Sequence, residues 1–163
     1  TEADIPFELL QDPFGIFLWP EDKGRDGCRT PFPWDGQKAN AGFSSAKTTW
    51  LPVPIEHLAK AAAQQEADGH SPLHFLRNFL KWRKANPALV TGGIKFFDTP
   101  DGLLGFVRSH DSGDIICCFN LGNSPVTIDL PQTSTPLDGH GMQSTLQGRS
   151  LHLPAFGGYF GRV

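Results

Sequence analysis

The chain has 163 residues, with 14 Lys and Arg against 17 Asp and Glu, a formal net charge of −3 and 19% charged residues. That balance offers no electrostatic field for nucleic acid or an anionic membrane surface, and no apolar run approaches the ~20 residues of a membrane helix. The length fits one domain, or one domain with part of another, and is enough to bury most of the apolar surface.

The start, Thr1-Glu2-Ala3-Asp4, is acidic and carries no initiator Met. It is no secretory signal, and it predicts a processed chain or a piece of a longer one. Of the three cysteines, Cys117 and Cys118 are adjacent in a strand-like run, so their side chains point to opposite faces and do not bridge each other. With Cys28 the count is odd, which predicts free thiols, a reducing compartment and a cytoplasmic location. No Cys/His spacing suggests a zinc site.

Residues 1–53 hold few periodic elements. Pro6 to Leu10 has room for one helical turn, after which Asp12-Pro13 and Trp19-Pro20 break the chain. Eight aromatics (Phe7, Phe14, Phe17, Trp19, Phe32, Trp34, Phe43 and Trp50) sit in this half without a framework of their own. Such a segment must lie over a scaffold supplied from elsewhere.

Within it, Gly24-Arg25-Asp26-Gly27-Cys28-Arg29-Thr30-Pro31-Phe32-Pro33-Trp34-Asp35 shows neither helical period nor strand alternation. Its aromatics argue against disorder, so it reads as an ordered, functional loop. An arginine fork beside a flat apolar face suits a polar, uncharged ring such as a sugar. The other reading is a loop stitched to its own scaffold by Arg and Asp. The carboxylates Asp12, Glu21, Asp22, Asp26 and Asp35 cluster here, but no spacing singles out a catalytic pair; surface or arginine-paired roles are expected.

Leu58 to Gln65 has good helix formers and little apolar period, which fits a short helix or a packed connector, and Asp68-Gly69 marks a stop. Ser71 to Asn86 is the clearest helix: Ser71 as N-cap, Pro72 at the first position, Leu73, Leu76, Phe79, Leu80 and Arg83 on one face, cations in the last turns and Asn86-Pro87 as terminator. From about Val90 the period becomes two. Strands are expected around Ile94–Phe97, Leu103–Ser109, Asp114–Asn120, Val126–Leu130, Ser150–Leu153 and Phe156–Arg162, with a hairpin turn at Thr99-Pro100-Asp101-Gly102. Both faces of Asp114–Asn120 are apolar, which predicts a central strand covered on both sides. Short strands at this spacing indicate an antiparallel sandwich or barrel. No nucleotide-binding loop or nucleophile elbow is present, and the six histidines are scattered.

The loop at 24–35, followed by Asn40-Ala41-Gly42-Phe43 and Trp50-Leu51-Pro52-Val53, resembles the C-terminal third of alpha-glucosidases and oligo-1,6-glucosidases of glycoside hydrolase family 13, the alpha-amylase superfamily. Leu80-Lys81-Trp82-Arg83-Lys84-Ala85-Asn86-Pro87-Ala88-Leu89 resembles that family's last barrel helix, and the following strands its β domain. One departure is Phe32-Pro33, where relatives often carry Met-Gln.

The resemblance implies α/β plus all-β architecture: residues 1–87 as the last segment of a (β/α)8 TIM barrel, with an active-site loop at 24–35, and residues 88–163 as an antiparallel β-sandwich domain. It implies a retaining enzyme of carbohydrate metabolism whose Asp nucleophile, Glu acid/base and third Asp lie on earlier barrel strands, so that this chain alone is inert. Arg25 is then the arginine that binds the non-reducing-end glucose, while Asp26 and Arg29 brace the loop. No cofactor or metal ligand falls in this chain; a structural Ca or Mg would belong to the earlier barrel segment. The implied partners are the N-terminal remainder of the enzyme and a glucose-containing oligosaccharide. The alternatives are a transglycosylase or a sucrose or maltose isomerase on the same scaffold, or a non-catalytic carbohydrate-binding or structural β module.

Overall fold

A computed structural model of the chain describes residues 3–163; the expected acidic start at Thr1 and Glu2 lies outside them. Contacts divide the chain into two units, one ending at His74 and the other beginning at Phe75. Among the described residues no helix is long and apolar enough to cross a membrane.

The first unit is built from short turns. A 3-10 turn at Phe7–Leu9 occupies the stretch where one helical turn is expected. Asp12-Pro13 does not break the chain: it starts helix α1 (Pro13–Phe17). The residue before a proline is pushed to extended geometry, which is the geometry an N-cap needs, and proline suits the first helical position. Asp12 has φ −68° and ψ 117°, and its carboxylate accepts from the Phe14 amide. Helices α2 (Ile55–Leu58) and α3 (Ala62–Ala67) resolve the ambiguous alanine-rich stretch into two pieces. A small core forms from Ile5, Leu10 and Leu51. Most aromatics of this unit are exposed, Phe17 to 86%.

Two pairs of backbone hydrogen bonds hold the far end of the 24–35 loop. The first amides of α3, unpaired within a helix, donate from Ala62 to the Pro33 carbonyl and from Ala63 to the Trp34 carbonyl. The Ala41 carbonyl accepts from the Trp34 and Asp35 amides, both at 2.9 Å. Asn40, Ala41 and Gly42 adopt left-handed φ values of 48°, 51° and 72° to make that carbonyl available. Asn40 secures the turn by donating its side-chain amide to the carbonyls of Ser44 and Ala46.

The clearest helix, α4 (Pro72–Lys84), is capped as its sequence requires: the Ser71 hydroxyl accepts from the His74 amide at 3.4 Å. A further turn, α5 (Pro87–Thr91), follows. Pro87 seeds this turn, and the first strand follows at Gly93–Phe96, where the expected Ile94–Phe97 falls.

The second unit is an antiparallel sandwich. Its strands are β1 (Gly93–Phe96), β2 (Leu103–Ser109), β3 (Ile115–Asn120), β4 (Val126–Asp129), β5 (Thr135–Pro136), β6 (Thr145–Gln147), β7 (Ser150–Leu153) and β8 (Gly158–Arg162). One sheet has the order β1-β2-β3-β8-β5 and the other β4-β7-β6. The turn before β2 closes with Gly102 at φ 81°. As its two apolar faces predict, β3 is central. Ile116 and Cys118 pack with Leu130, Leu151, Leu153 and Tyr159 between the sheets. Ile115 and Cys117 face the other way, against Phe160, Ala88 and Leu89.

Within this unit α4 contributes an aromatic face. Phe79 and Trp82 lie 6.0 and 4.8 Å from Phe160, and the Trp82 indole donates to the Asp138 carbonyl at 2.8 Å. Leu76 and Leu80, expected on the same buried face, are exposed to 53% and 43%. The rings of Phe79 and Trp82, three residues apart, take the contact instead.

Replacing the fully buried Leu151 with Ala should cost about 2–5 kcal/mol in urea unfolding. Burial raises the Cys117 and Cys118 thiols from 9.0 to about 12 and about 11. The folded state keeps these protons while the unfolded chain gives them up. The contribution is thus complete below pH 9.0 and falls as pH rises beyond it. Thermal midpoints measured up this range should fall, and Cys117→Ala with Cys118→Ala should flatten the fall.

Candidate functional site

The loop at 24–35 is anchored at its near end by two buried carboxylates. Asp12 is 1% exposed and Asp26 fully buried. Oδ2 of Asp26 accepts from the backbone amides of Gln11, at 2.6 Å, and Asp12, at 2.8 Å. Its Oδ1 accepts from Nη1 of Arg29 at 2.9 Å. Asp12 returns the contact. Its Oδ1 caps α1, while its Oδ2 accepts from the Arg25 amide at 3.1 Å and from Arg25 Nε at 3.0 Å. Nη2 of Arg29 approaches the same oxygen at 3.5 Å. Each carboxylate thus reaches the backbone of the other's segment.

The hydrogen bond from Arg25 is the main cause that holds the Asp12 carboxyl below the usual carboxylate range, against the opposing effect of burial. For Asp26 burial acts first and would raise it, but the amides of Asp12 and Gln11 and the Arg29 guanidinium outweigh burial. The approach also depends on Gly24 at φ 65°: a Cβ there would lie 3.0 Å from the Asp12 carboxylate carbon and 2.8 Å from the Gly15 nitrogen.

Arg25, the expected substrate-binding residue, carries a side chain that is 76% exposed. Among the described residues nothing bonds its two terminal amino groups. Arg29 and Asp26 sit beneath it as a pair. Phe32 and Trp34, with ring centroids 4.7 Å apart, are both more than half exposed on the same loop.

The other carboxylates of this half do not join the cluster. Asp22 accepts from the Gly24 amide and Asp35 from the Gln37 amide, both local turns. Among the described residues no three His, Cys, Asp or Glu side chains converge as a metal site. Of the histidines, His140 is buried, with Nδ1 accepting from the Met142 amide and the ring against Trp82 and Phe160. Burial holds it below the usual histidine range, as in a packed core.

Of the surface or arginine-paired roles expected for the clustered carboxylates, Asp12 takes the arginine-paired one; that it also caps α1 is not marked by any spacing. The signal for the cap is an aspartate directly before proline.

Both anchoring carboxyls lie below their ordinary value of 3.8 in the folded chain. Their ionised forms stabilise the fold above that value, and the contribution is lost as pH falls through the lower folded values. Thermal midpoints of the full-length protein should therefore drop below about pH 4. Asp26→Asn should lower the midpoint at pH 7 and weaken the dependence in acid.

Residues 9–92 match the family model described as the alpha-amylase catalytic domain. Over its whole length the chain is 48% identical to a probable alpha-glucosidase of Rhizobium meliloti, of which it covers 29%. The crystal structure of the alpha-glucosyl transfer enzyme XgtA superposes with a TM-score of 0.92 at 41% identity, over 99% of this chain and 30% of that one. The trehalulose synthase MutB of Pseudomonas mesoacidophila MX-45 gives a TM-score of 0.79 at 25% identity, over 99% of this chain and 33% of that one. The chain thus spans about three tenths of the length of such relatives. Its two halves correspond to the closing segment of a (β/α)8 barrel and the antiparallel β-sandwich that follows it. The chain belongs to the alpha-amylase family of glycoside hydrolases.

Proposed function

We propose that the chain is the C-terminal part of a retaining alpha-glucosidase that cleaves the non-reducing-end glucosidic bond of short oligosaccharides. In this reading residues 1–87 close the catalytic barrel and residues 88–163 brace it. Arg25 hydrogen-bonds the outermost glucose. The nucleophile and the acid/base carboxyl come from earlier barrel segments, as would any structural cation. The reaction is a double displacement through a covalent glucosyl-enzyme, which this chain serves by fixing the sugar.

The observation that carries the reading is the state of Arg25. Its guanidinium is held at Nε by a buried carboxylate and presents its outer edge to solvent. The network of Asp12, Asp26, Arg25 and Arg29 sums to zero charge. A balanced donor of this kind suits hydroxyl groups better than an anion. A fixed donor orients the anomeric carbon toward its nucleophile before reaction. The 48% identity to a probable alpha-glucosidase supports the same substrate class.

The likeness to XgtA favours a second reading, in which the glucosyl group passes to a sugar or other hydroxyl acceptor instead of water. Product analysis of the full-length enzyme on maltose and on sucrose separates the two: free glucose marks hydrolysis, and longer or isomeric saccharides mark transfer.

Arg25→Ala in the full-length enzyme should lower kcat/KM on maltose by roughly tenfold to a hundredfold, as expected for a lost charge-assisted hydrogen bond. Lysine should not restore it, because an ammonium lacks the Nε that meets Asp12. An unchanged efficiency in Arg25→Ala would remove Arg25 from the site. The chain expressed alone should show no glucosidase activity.

A further inference from the structure

We propose that Asp12 is the positioning residue for Arg25: one oxygen of its buried carboxylate aims the guanidinium, so that the two terminal amino groups face the ligand as a preset fork. The inference rests on the reading of Arg25 as a sugar donor.

An arginine side chain has several rotatable bonds, and an unrestrained one must be ordered each time a ligand binds. Arg25 is restrained twice by the same atom. Oδ2 of Asp12 accepts from the Arg25 amide at 3.1 Å and from its Nε at 3.0 Å, closing a ring from backbone to guanidinium. Asp12 is itself buried and bonded on every side the chain offers. It is 1% exposed, its amide donates to Asp26 at 2.8 Å, and its Oδ1 is taken by the Phe14 amide. Binding at Nε leaves the terminal amino groups unused, and among the described residues nothing else engages them. Arg29 does not compete, because its shorter bond, 2.9 Å, goes to Asp26, and it stands 3.5 Å from Asp12.

The two oxygens of Asp12 face different partners. Oδ1 caps α1, and Oδ2 meets Arg25 at both its amide and its guanidinium. Asparagine is as good an N-cap as aspartate. Asp12→Asn can therefore keep the cap while placing a donor, or at best a neutral acceptor, where Arg25 needs a carboxylate.

The test is a double-mutant cycle in the full-length enzyme, reading kcat/KM, KM and kcat on maltose together with the thermal midpoint. Asp12→Asn should lower kcat/KM about tenfold, the size of one weakened charge-assisted contact. The same change in an Arg25→Ala background should lower it no further, because the group being aimed is gone. An efficiency of Asp12→Asn equal to wild type, or losses that multiply in the double variant, overturns the inference. A normal efficiency in Arg25→Ala alone overturns the underlying reading instead, so the two failures are distinct.

If Asp12→Asn does not fold, chemical rescue replaces the cycle. Added ethylguanidinium should restore part of the activity of Arg25→Ala saturably, because Asp12 offers its vacated site. Absence of rescue at saturating concentrations overturns the inference.

Discussion

The first half of the chain depends on one constraint: two carboxylates taken out of water must each be fully paired. An unpaired buried charge is among the most expensive defects a protein can hold. Asp26 meets the constraint with two backbone amides from the 11–12 segment and a guanidinium from its own loop. Asp12 meets it with its own helix and with the backbone and side chain of Arg25. The pairing is reciprocal, so neither segment can move without exposing a charge on the other. This lets a unit with only a small apolar core, Ile5, Leu10 and Leu51, hold an irregular loop in one conformation.

The second half is held by different physics. A strand apolar on both faces has to be covered twice, and β3 is. The β4-β7-β6 sheet covers one side, and Ala88 and Leu89 with the rings of Phe79 and Trp82 cover the other. The aromatic contacts run from Phe75 through Phe79 and Trp82 to Phe160, then through Phe119 to Phe106, so the helix joins the sheet by side-chain packing. The cation-rich end of α4 needs no partner of its own, since Lys81, Arg83 and Lys84 lie where the helix dipole favours them.

What could be read from the residues divides along the same line. The two-faced strand, the Pro-Asp-Gly turn and the capped helix are local or periodic signals, and each appears where its pattern places it. The misreadings arise where one residue type serves two purposes. Proline after Asp12 reads as a break because it excludes helix behind it, yet it favours helix ahead. Pro87 ends α4 as expected and also opens the short α5 beyond it. On α4 the apolar stripe was legible, but not that aromatics rather than leucines would take its buried side, since that choice depends on the shape of the facing sheet. An arginine-paired role for Asp12 is among the expectations, but not which arginines it meets. Its partners lie 13 and 17 residues away across a loop without period, and no local pattern reports such a pairing.

These constraints also separate two duties in the proposed reaction. A general acid must sit near the working pH to give and take a proton. A donor that orients a sugar must instead keep one charge state and one direction throughout. A guanidinium is a permanent charge, and Asp12 is held below the usual carboxylate range by its hydrogen bond from Arg25. The same hydrogen bond that orients the arginine thus protects the orientation from titration. In the proposed chemistry the 24–35 loop thus supplies a fixed geometry, not a titrating group.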